Sequence, residues 1–173
     1  MAIGITCDSP PIAVIGTAYS HFFPVTGDTP PDVFTISVGA LPAGLVINAV
    51  TGEVTGIPLG PAGTSNFTVH VEDSVLATAD AACSIQVNAA LAVTAAPPSG
   101  LQGSPYSYAV PATGGVTPYT FSISAGALPT GLTIDPATGV ISGTPTVAGV
   151  FGFTVHVEDS YAGGPAPNTD DVE

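Results

Sequence analysis

The chain of 173 residues has no lysine and no arginine. Thirteen aspartates and glutamates face only three histidines, and the formal net charge is −13. Binding nucleic acid through its phosphates needs basic side chains. Electrostatic docking on anionic lipid needs them too. Neither nucleic acid nor membrane is therefore expected as a partner. A phosphate-cradling loop would lack its lysine, and no salt bridge to Lys or Arg can form. Stability must come from apolar burial and backbone hydrogen bonds. No apolar run approaches 18 residues, so no membrane-spanning helix is predicted. The opening stretch, Met1 to Asp8, has neither a basic start nor a long apolar core, and it does not read as a signal peptide. The expectation is a chain made and assembled in the cytosol, as a virus particle protein is, or a mature exported chain. The two cysteines, Cys7 and Cys83, show no CxxC spacing, so metal and redox motifs are unsupported. No cofactor is expected.

What is abundant points one way. Gly and Pro make up about 23 % of the chain, yet hydrophobic residues are 45 % and charged residues 8 %. Disordered chains are polar or highly charged for their hydrophobicity. This composition suits many short apolar strands separated by turns.

The chain contains itself twice. Residues 34–58 return as 121–145, with 14 of 25 positions identical at an offset of 87. Phe67-Thr68-Val69-His70-Val71-Glu72-Asp73-Ser74 returns unchanged as Phe153 to Ser160, at an offset of 86. The one-residue slip falls in the loop after Pro58. Such a period is too long for a solenoid and suits a whole domain. Domains are predicted over 1–89 and 90–173.

Within repeat 1, strands are predicted over 3–6, 18–24, 33–37, 45–48, 53–55, 66–73 and 83–87. In repeat 2 they are predicted over 91–94, 106–110, 119–124, 132–134, 140–142 and 151–158. Phe67, Val69 and Val71 alternate with Thr68, His70 and Glu72, the mark of a strand with one buried and one wet face. Thr51-Gly52 and Thr138-Gly139 sit between strands, where glycine supplies positive φ for a tight hairpin. No stretch has a helical period. Seven short strands in about 87 residues is the arithmetic of a β-sandwich.

Four segments now carry a resemblance. They are Gly114-Gly115-Val116-Thr117-Pro118-Tyr119-Thr120-Phe121-Ser122-Ile123, Ala127-Leu128-Pro129-Thr130-Gly131-Leu132-Thr133-Ile134-Asp135, Thr138-Gly139-Val140-Ile141-Ser142-Gly143-Thr144-Pro145 and Phe153 to Ser160. Together they closely resemble the He_PIG family of bacterial and phage Ig-like, cadherin-like sandwiches. Repeat 1 departs from it in two loops: Gly27-Asp28-Thr29-Pro30-Pro31-Asp32 replaces the glycine-rich loop, and Asn48-Ala49-Val50 replaces Asp135-Pro136-Ala137. The resemblance implies two tandem Ig-like sandwiches, surface display, adhesion or spacing, and no shared catalytic residues. First and last strands are commonly neighbours in such domains. Cys7 and Cys83 therefore either form an intradomain disulfide or are two buried thiols.

The junction Asn88-Ala89-Ala90-Leu91 has no Gly, Ser or Pro run, which predicts restricted rotation. The second repeat is predicted to lack its last strand, or to have it truncated. After Asp159-Ser160 the chain reaches Thr169, the counterpart of Thr78, and then stops. Either these residues are part of a longer chain, or the ordered part ends here, or a neighbouring chain supplies the strand to an exposed edge.

Candidate chemistry is thin. His70 and His156 occupy equivalent outward positions and read as solvated strand residues. His21, beside Phe22 and Phe23, reads as packing. Glu72-Asp73 and Glu158-Asp159 end equivalent strands, where cadherin-like relatives hold Ca²⁺ with acids. The DxD pattern is missing, so solvated turn carboxylates are expected. Asn66-Phe67-Thr68 is formally a glycosylation sequon. No nucleophile elbow or HExxH motif is present, so no enzyme is expected. The leading expectation is a virion surface component, such as a capsid decoration, head fibre or tail part. Its partners would be coat or tail subunits, as a homo-oligomer or with a strand-donating neighbour. The rivals are a fragment of a bacterial cell-surface adhesin stalk, with carbohydrate binding through its loops, and a noncatalytic module of a secreted hydrolase. Without Trp and with five Tyr, sugar platforms are sparse.

Overall fold

A computed structural model describes residues 2–162 and 167–172. Every regular element in them is a β-strand. The chain divides into two units that change over between Ala89 and Ala90, with residues 167–172 in the second.

The first unit contains β1 (Gly4–Ile5), β2 (Ala13–Val14), β3 (Tyr19–Phe22), β4 (Val25–Thr26), β5 (Val33–Gly39), β6 (Leu45–Ile47), β7 (Glu53–Gly56), β8 (Gly63–Glu72) and β9 (Thr78–Asn88). One sheet runs β2-β9-β8-β5, the other β3-β7-β6, and β1 pairs with β4. All these pairings are antiparallel except β2 with β9. Along β9 the inward residues Ala81, Cys83, Ile85 and Val87 are buried, and Ala82, Ser84 and Gln86 between them are exposed. They meet Phe34, Phe67, Val69 and Val71 of the same sheet, with Tyr19, Leu45 and Val54 of the other, in one core.

The second unit repeats the plan with β10 (Ala92–Val93), β11 (Tyr106–Ala109), β12 (Ala112–Thr113), β13 (Thr120–Gly126), β14 (Leu132–Ile134), β15 (Val140–Gly143), β16 (Phe153–Glu158) and β17 (Thr169–Val172). Its sheets are β13-β16-β17 and β11-β15-β14, with β10 paired to β12. Its core holds Phe121, Ile141, Val155 and Val157. Even the register shift is repeated, between Ile36 and Val38 in β5 and between Ile123 and Ala125 in β13.

The structure departs from the predicted strands in several places, and the two-residue strands β4 and β12 also lie outside them. The short parallel strand β2 was not foreseen, because Pro10 and Pro11 precede it and only two residues pair. Strand β9 starts at Thr78, five residues before the predicted start. Thr-Ala-Asp-Ala-Ala is a weak strand former on propensity, but the full-length ladder to β8, starting at Glu72↔Thr78, overrides it. For the same reason the last strand of the second unit is not absent. Thr169 pairs with Glu158 and Val172 with Val155, giving a four-residue strand against eleven in β9. The strand expected to be lacking or truncated is thus present among the described residues.

Candidate functional site

The repeated motif Glu-Asp-Ser at the end of β8 and β16 proves to be a loop clamp. Asp73 is buried. Its Oδ1 accepts the Val75 and Ala77 amides at 3.0 and 2.9 Å, and its Oδ2 accepts the Thr29 amide at 3.2 Å. The Ser74 hydroxyl donates to the Thr29 carbonyl at 2.6 Å. Asp159 does the same work. Its Oδ1 accepts the Tyr161 and Asn168 amides at 3.0 and 2.9 Å. Its Oδ2 accepts the Val116 amide at 2.8 Å and the Asn168 side chain at 2.8 Å. The Ser160 hydroxyl donates to the Val116 and Thr117 carbonyls. Both carboxylates thus tie the loop before β5 or β13 to the end of the following ladder. The expectation of solvated turn carboxylates is corrected for Asp73 and Asp159, whereas Glu158 is exposed and Glu72 half-buried: accepting several backbone amides is what permits a carboxyl group to be buried. The glycine-rich loop of repeat 2 is explained here. Gly115 has φ +55°, and a Cβ on it would collide with the Asp159 carboxylate. Beside Asp159 the Tyr161 phenol is buried, and desolvation, with the neighbouring carboxylate, pushes its pKa up to about 12.

The hairpins before β7 and β15 are Asx turns. Asn48 Oδ1 accepts the Val50 and Thr51 amides at 2.9 and 3.1 Å. Asp135 Oδ1 accepts the Ala137 and Thr138 amides at 2.8 and 3.0 Å. These amides hold the exposed Asp135 carboxyl below its ordinary pKa. The Asn48-Ala49-Val50 departure from the family pattern therefore leaves the geometry unchanged.

The histidines are less solitary than expected. His70 lies directly opposite Asp80, Nδ1 to Oδ1 3.0 Å, and His156 opposite Asp171 at 2.9 Å. Ser37 and Ser124 hydroxyls reach the same carboxylates at 3.4 Å. In both units this is a cross-strand pair bridging three neighbouring strands. The hydroxyls face the carboxylates and not the imidazoles, so the set has no nucleophile activated by a base. Reading one strand at a time hid it, because Asp80 and Asp171 lay in segments not predicted as strands. His21 packs edge-on to Phe23 at 5.0 Å, and burial lowers its pKa against a smaller upward pull from Asp8. Asp32 has its pKa raised by desolvation and by the nearby charges of Asp28 and Asp73. Asn66 is exposed in the body of β8.

Cys7 and Cys83 are joined by a disulfide, with their Cα atoms 5.5 Å apart. Among the described residues no group of three or more His, Cys, Asp or Glu side chains could hold a metal ion. No helix there is long and apolar enough to cross a membrane. A groove of about 530 Å³ opens in the second unit, lined by the loop at 97–102, Tyr106, Leu132, the chain from Val147 to Phe151, and Phe153. Its walls are mainly apolar, and it contains no histidine, cysteine or acid.

The family model He_PIG, described as "Putative Ig domain", matches residues 3–88 and again 89–171. No curated protein matches the chain. Among solved structures, the N-terminal eight Ig domains of Down Syndrome Cell Adhesion Molecule align over 99 % of this chain and 27 % of that one, at 15 % identity and TM-score 0.59. The protocadherin GammaB4 extracellular domain aligns over 99 % and 32 %, at 15 % identity and TM-score 0.37. An endo-fucoidan hydrolase of glycoside hydrolase family 107 aligns over 97 % and 28 %, at 22 % identity and TM-score 0.39. The chain spans about a third or less of the length of each.

Proposed function

Since the chain belongs to the He_PIG family of Ig-like domains through both of its repeats, we propose that it is a non-enzymatic structural and adhesion protein carried on a surface, and specifically a component of a phage virion such as a decoration, head fibre or tail part. One observation carries the non-enzymatic reading. The residues able to do chemistry are spent on architecture, twice over. Asp73 and Asp159 clamp loops, Asn48 and Asp135 close hairpins, and His70 and His156 bridge strands. Each of these sets appears in both units, and in each its polar atoms are occupied by backbone amides or by a cross-strand partner. The surface supports display. It carries Thr, Ser, Ala and Gly with sparse acids and no Lys or Arg, so it offers trypsin no cleavage site. The virion assignment draws on the phage occurrence of the family.

Coat or tail subunits would be the partners. Mass spectrometry and immunogold labelling of purified particles test this directly. The chain is expected in stoichiometric amounts on the particle exterior. Absence from particles, with labelling of the bacterial surface instead, would replace the virion by an adhesin stalk. A hydrolytic activity towards glycans would overturn the non-enzymatic reading.

A further inference from the structure

One group of polar side chains in the first unit is neither repeated nor occupied. Along β8 and β9 the buried residues Phe67, Val69, Cys83 and Ile85 point inward, which turns Asn66, Thr68, Ala82 and Ser84 outward. Asn66 lies opposite Ser84, and Thr68 opposite Ala82. On β5, Val38 lies opposite Thr68 and extends that rung. With Ser9 and Pro10 these residues surround a shallow concavity of about 490 Å³. The Cys7–Cys83 disulfide ties the segment that carries Ser9 and Pro10 to β9, and so fixes that wall. Among the described residues, the side chains of Ser9, Asn66, Thr68 and Ser84 make no hydrogen bond to another residue.

The second unit forms the same hollow without the same side chains. Its concavity, about 320 Å³, is lined by Pro97, Ala125, Gly152 and Thr154, the counterparts of Pro10, Val38, Asn66 and Thr68. The match of Asn66 to Gly152 is structural as well. A Cβ on Gly39 would meet the Asn66 carbonyl, and one on Gly126 the Gly152 carbonyl. Ser9 corresponds to Ala96. Thr154 is the only residue of that lining with a hydrogen-bonding side chain. The ladder between β13 and β16 repeats that between β5 and β8 without an Asn at this position, so the fold does not require one.

We propose that the concavity of the first unit binds a neutral glycan. Strand β8 sits between β5 and β9 and is paired on both sides. The floor therefore presents side chains and no open backbone edge, which does not suit strand addition by a peptide. An amide and three hydroxyls can each both donate and accept, and sugar hydroxyls need partners of that kind. Val38, Ala82 and Pro10 add apolar surface for the C–H face of a sugar ring. The hollow falls within the range of small-molecule pockets, about 300–1,000 Å³. Its lining carries no charge, and the chain has no Lys or Arg and a formal charge of −13. Sulfated and carboxylated sugars are thereby disfavoured. The Phe67 ring is turned into the core, so no aromatic ring stacks on the sugar. Affinity at one site is expected near about 1 mM, with many displayed copies supplying avidity. Use of the site in adhesion rests on the display role proposed above, but its affinity for a glycan does not.

The test begins with an array of neutral, sulfated and uronic-acid oligosaccharides, probed with the whole chain biotinylated and held on streptavidin. Having no lysine, the chain takes an amine label at its N-terminus alone. Neutral oligosaccharides should bind and acidic ones should not. The strongest neutral binder is then titrated into nitrogen-15-labelled chain. It should shift the amides of Asn66, Thr68, Ala82 and Ser84 saturably and leave Gly152 and Thr154 unmoved. Asn66→Ala and Ser84→Ala, both at exposed positions, should keep the melting temperature and each weaken binding by about fivefold or more, the effect of one lost hydrogen bond. No neutral binder on the array, a preference for acidic sugars, shifts confined to other residues, or binding indifferent to both variants overturns the proposal. So does protection of the same face by a coat protein with no effect of any sugar. None of these outcomes bears on particle labelling, which tests the display role by itself.

Discussion

Loss of the Asp73 or Asp159 carboxylate should be among the most damaging single changes in the molecule. Asp73→Ala leaves three amides without their acceptor at a buried position. Asp159→Ala abandons the Tyr161, Asn168 and Val116 amides together. Buried donors left unpaired cost their full desolvation, and about 3 kcal/mol is expected for either variant. Denaturant titration reads this. A loss under about 1 kcal/mol would show that water replaces the carboxylate and that the clamp is dispensable. His21 sets a pH dependence. Burial lowers its pKa below 6.5, so between that folded value and 6.5 the unfolded chain binds more protons than the folded one. Stability of the first unit should therefore rise with pH through this window and be lost as pH falls. His21→Gln should flatten the difference between pH 7.5 and pH 5.5. An unchanged slope would assign it to other groups.

Among the elements, the paired hairpins offer an internal exchange experiment. Asn48 and Asp135 make the same turn with the same two amides each. Asn48→Asp and Asp135→Asn should both fold with little loss, while Asn48→Ala and Asp135→Ala should each lower the melting temperature of their own unit. Only the acidic version should lose stability on acidification, because Asp135 has its pKa depressed by the amides it accepts and must be protonated as pH falls. The following glycine is constrained more tightly. Gly139 has φ +68°, and a Cβ there would lie 2.6 Å from the Phe121 ring, as one on Gly52 would from Phe34. The Thr-Gly dipeptide thus serves the hairpin and the core at once. Strand β9 shows the opposite balance. Its first half has poor strand propensity, and the ladder to β8 makes it a strand.

At the scale of the whole molecule, the two units should melt separately and in a definite order. The first is closed by the complete β9 and by the Cys7–Cys83 disulfide, which links positions separated by 76 in sequence. Such a link contributes about 4 kcal/mol in the chain-entropy model. The second has a four-residue closing strand and a partly covered core. Calorimetry should show two transitions, the lower belonging to the second unit. Reductant, or Cys7→Ser, should move only the upper one downward. A single transition unaffected by reductant would contradict both parts of this expectation.

The repeat, the sandwich class and the hairpin positions were legible in the chain itself. All three depend on local signals: alternation in Phe67-Thr68-Val69-His70-Val71, glycines that turn with positive φ, and a period near 87 residues. The absence of Lys and Arg likewise set the partners to be expected without any structure. Tertiary pairing decided the rest. Asp80 meets His70 only across a strand boundary, and Asp171 meets His156 in the same way. Asp73 looked like an exposed acid until a loop 44 residues away closed over it. Leu101 and Val14 occupy equivalent positions in the two repeats and are both apolar, yet one is exposed and the other buried. That contrast belongs to the strand that covers one of them, because burial is a property of what packs on a residue and not of the residue alone.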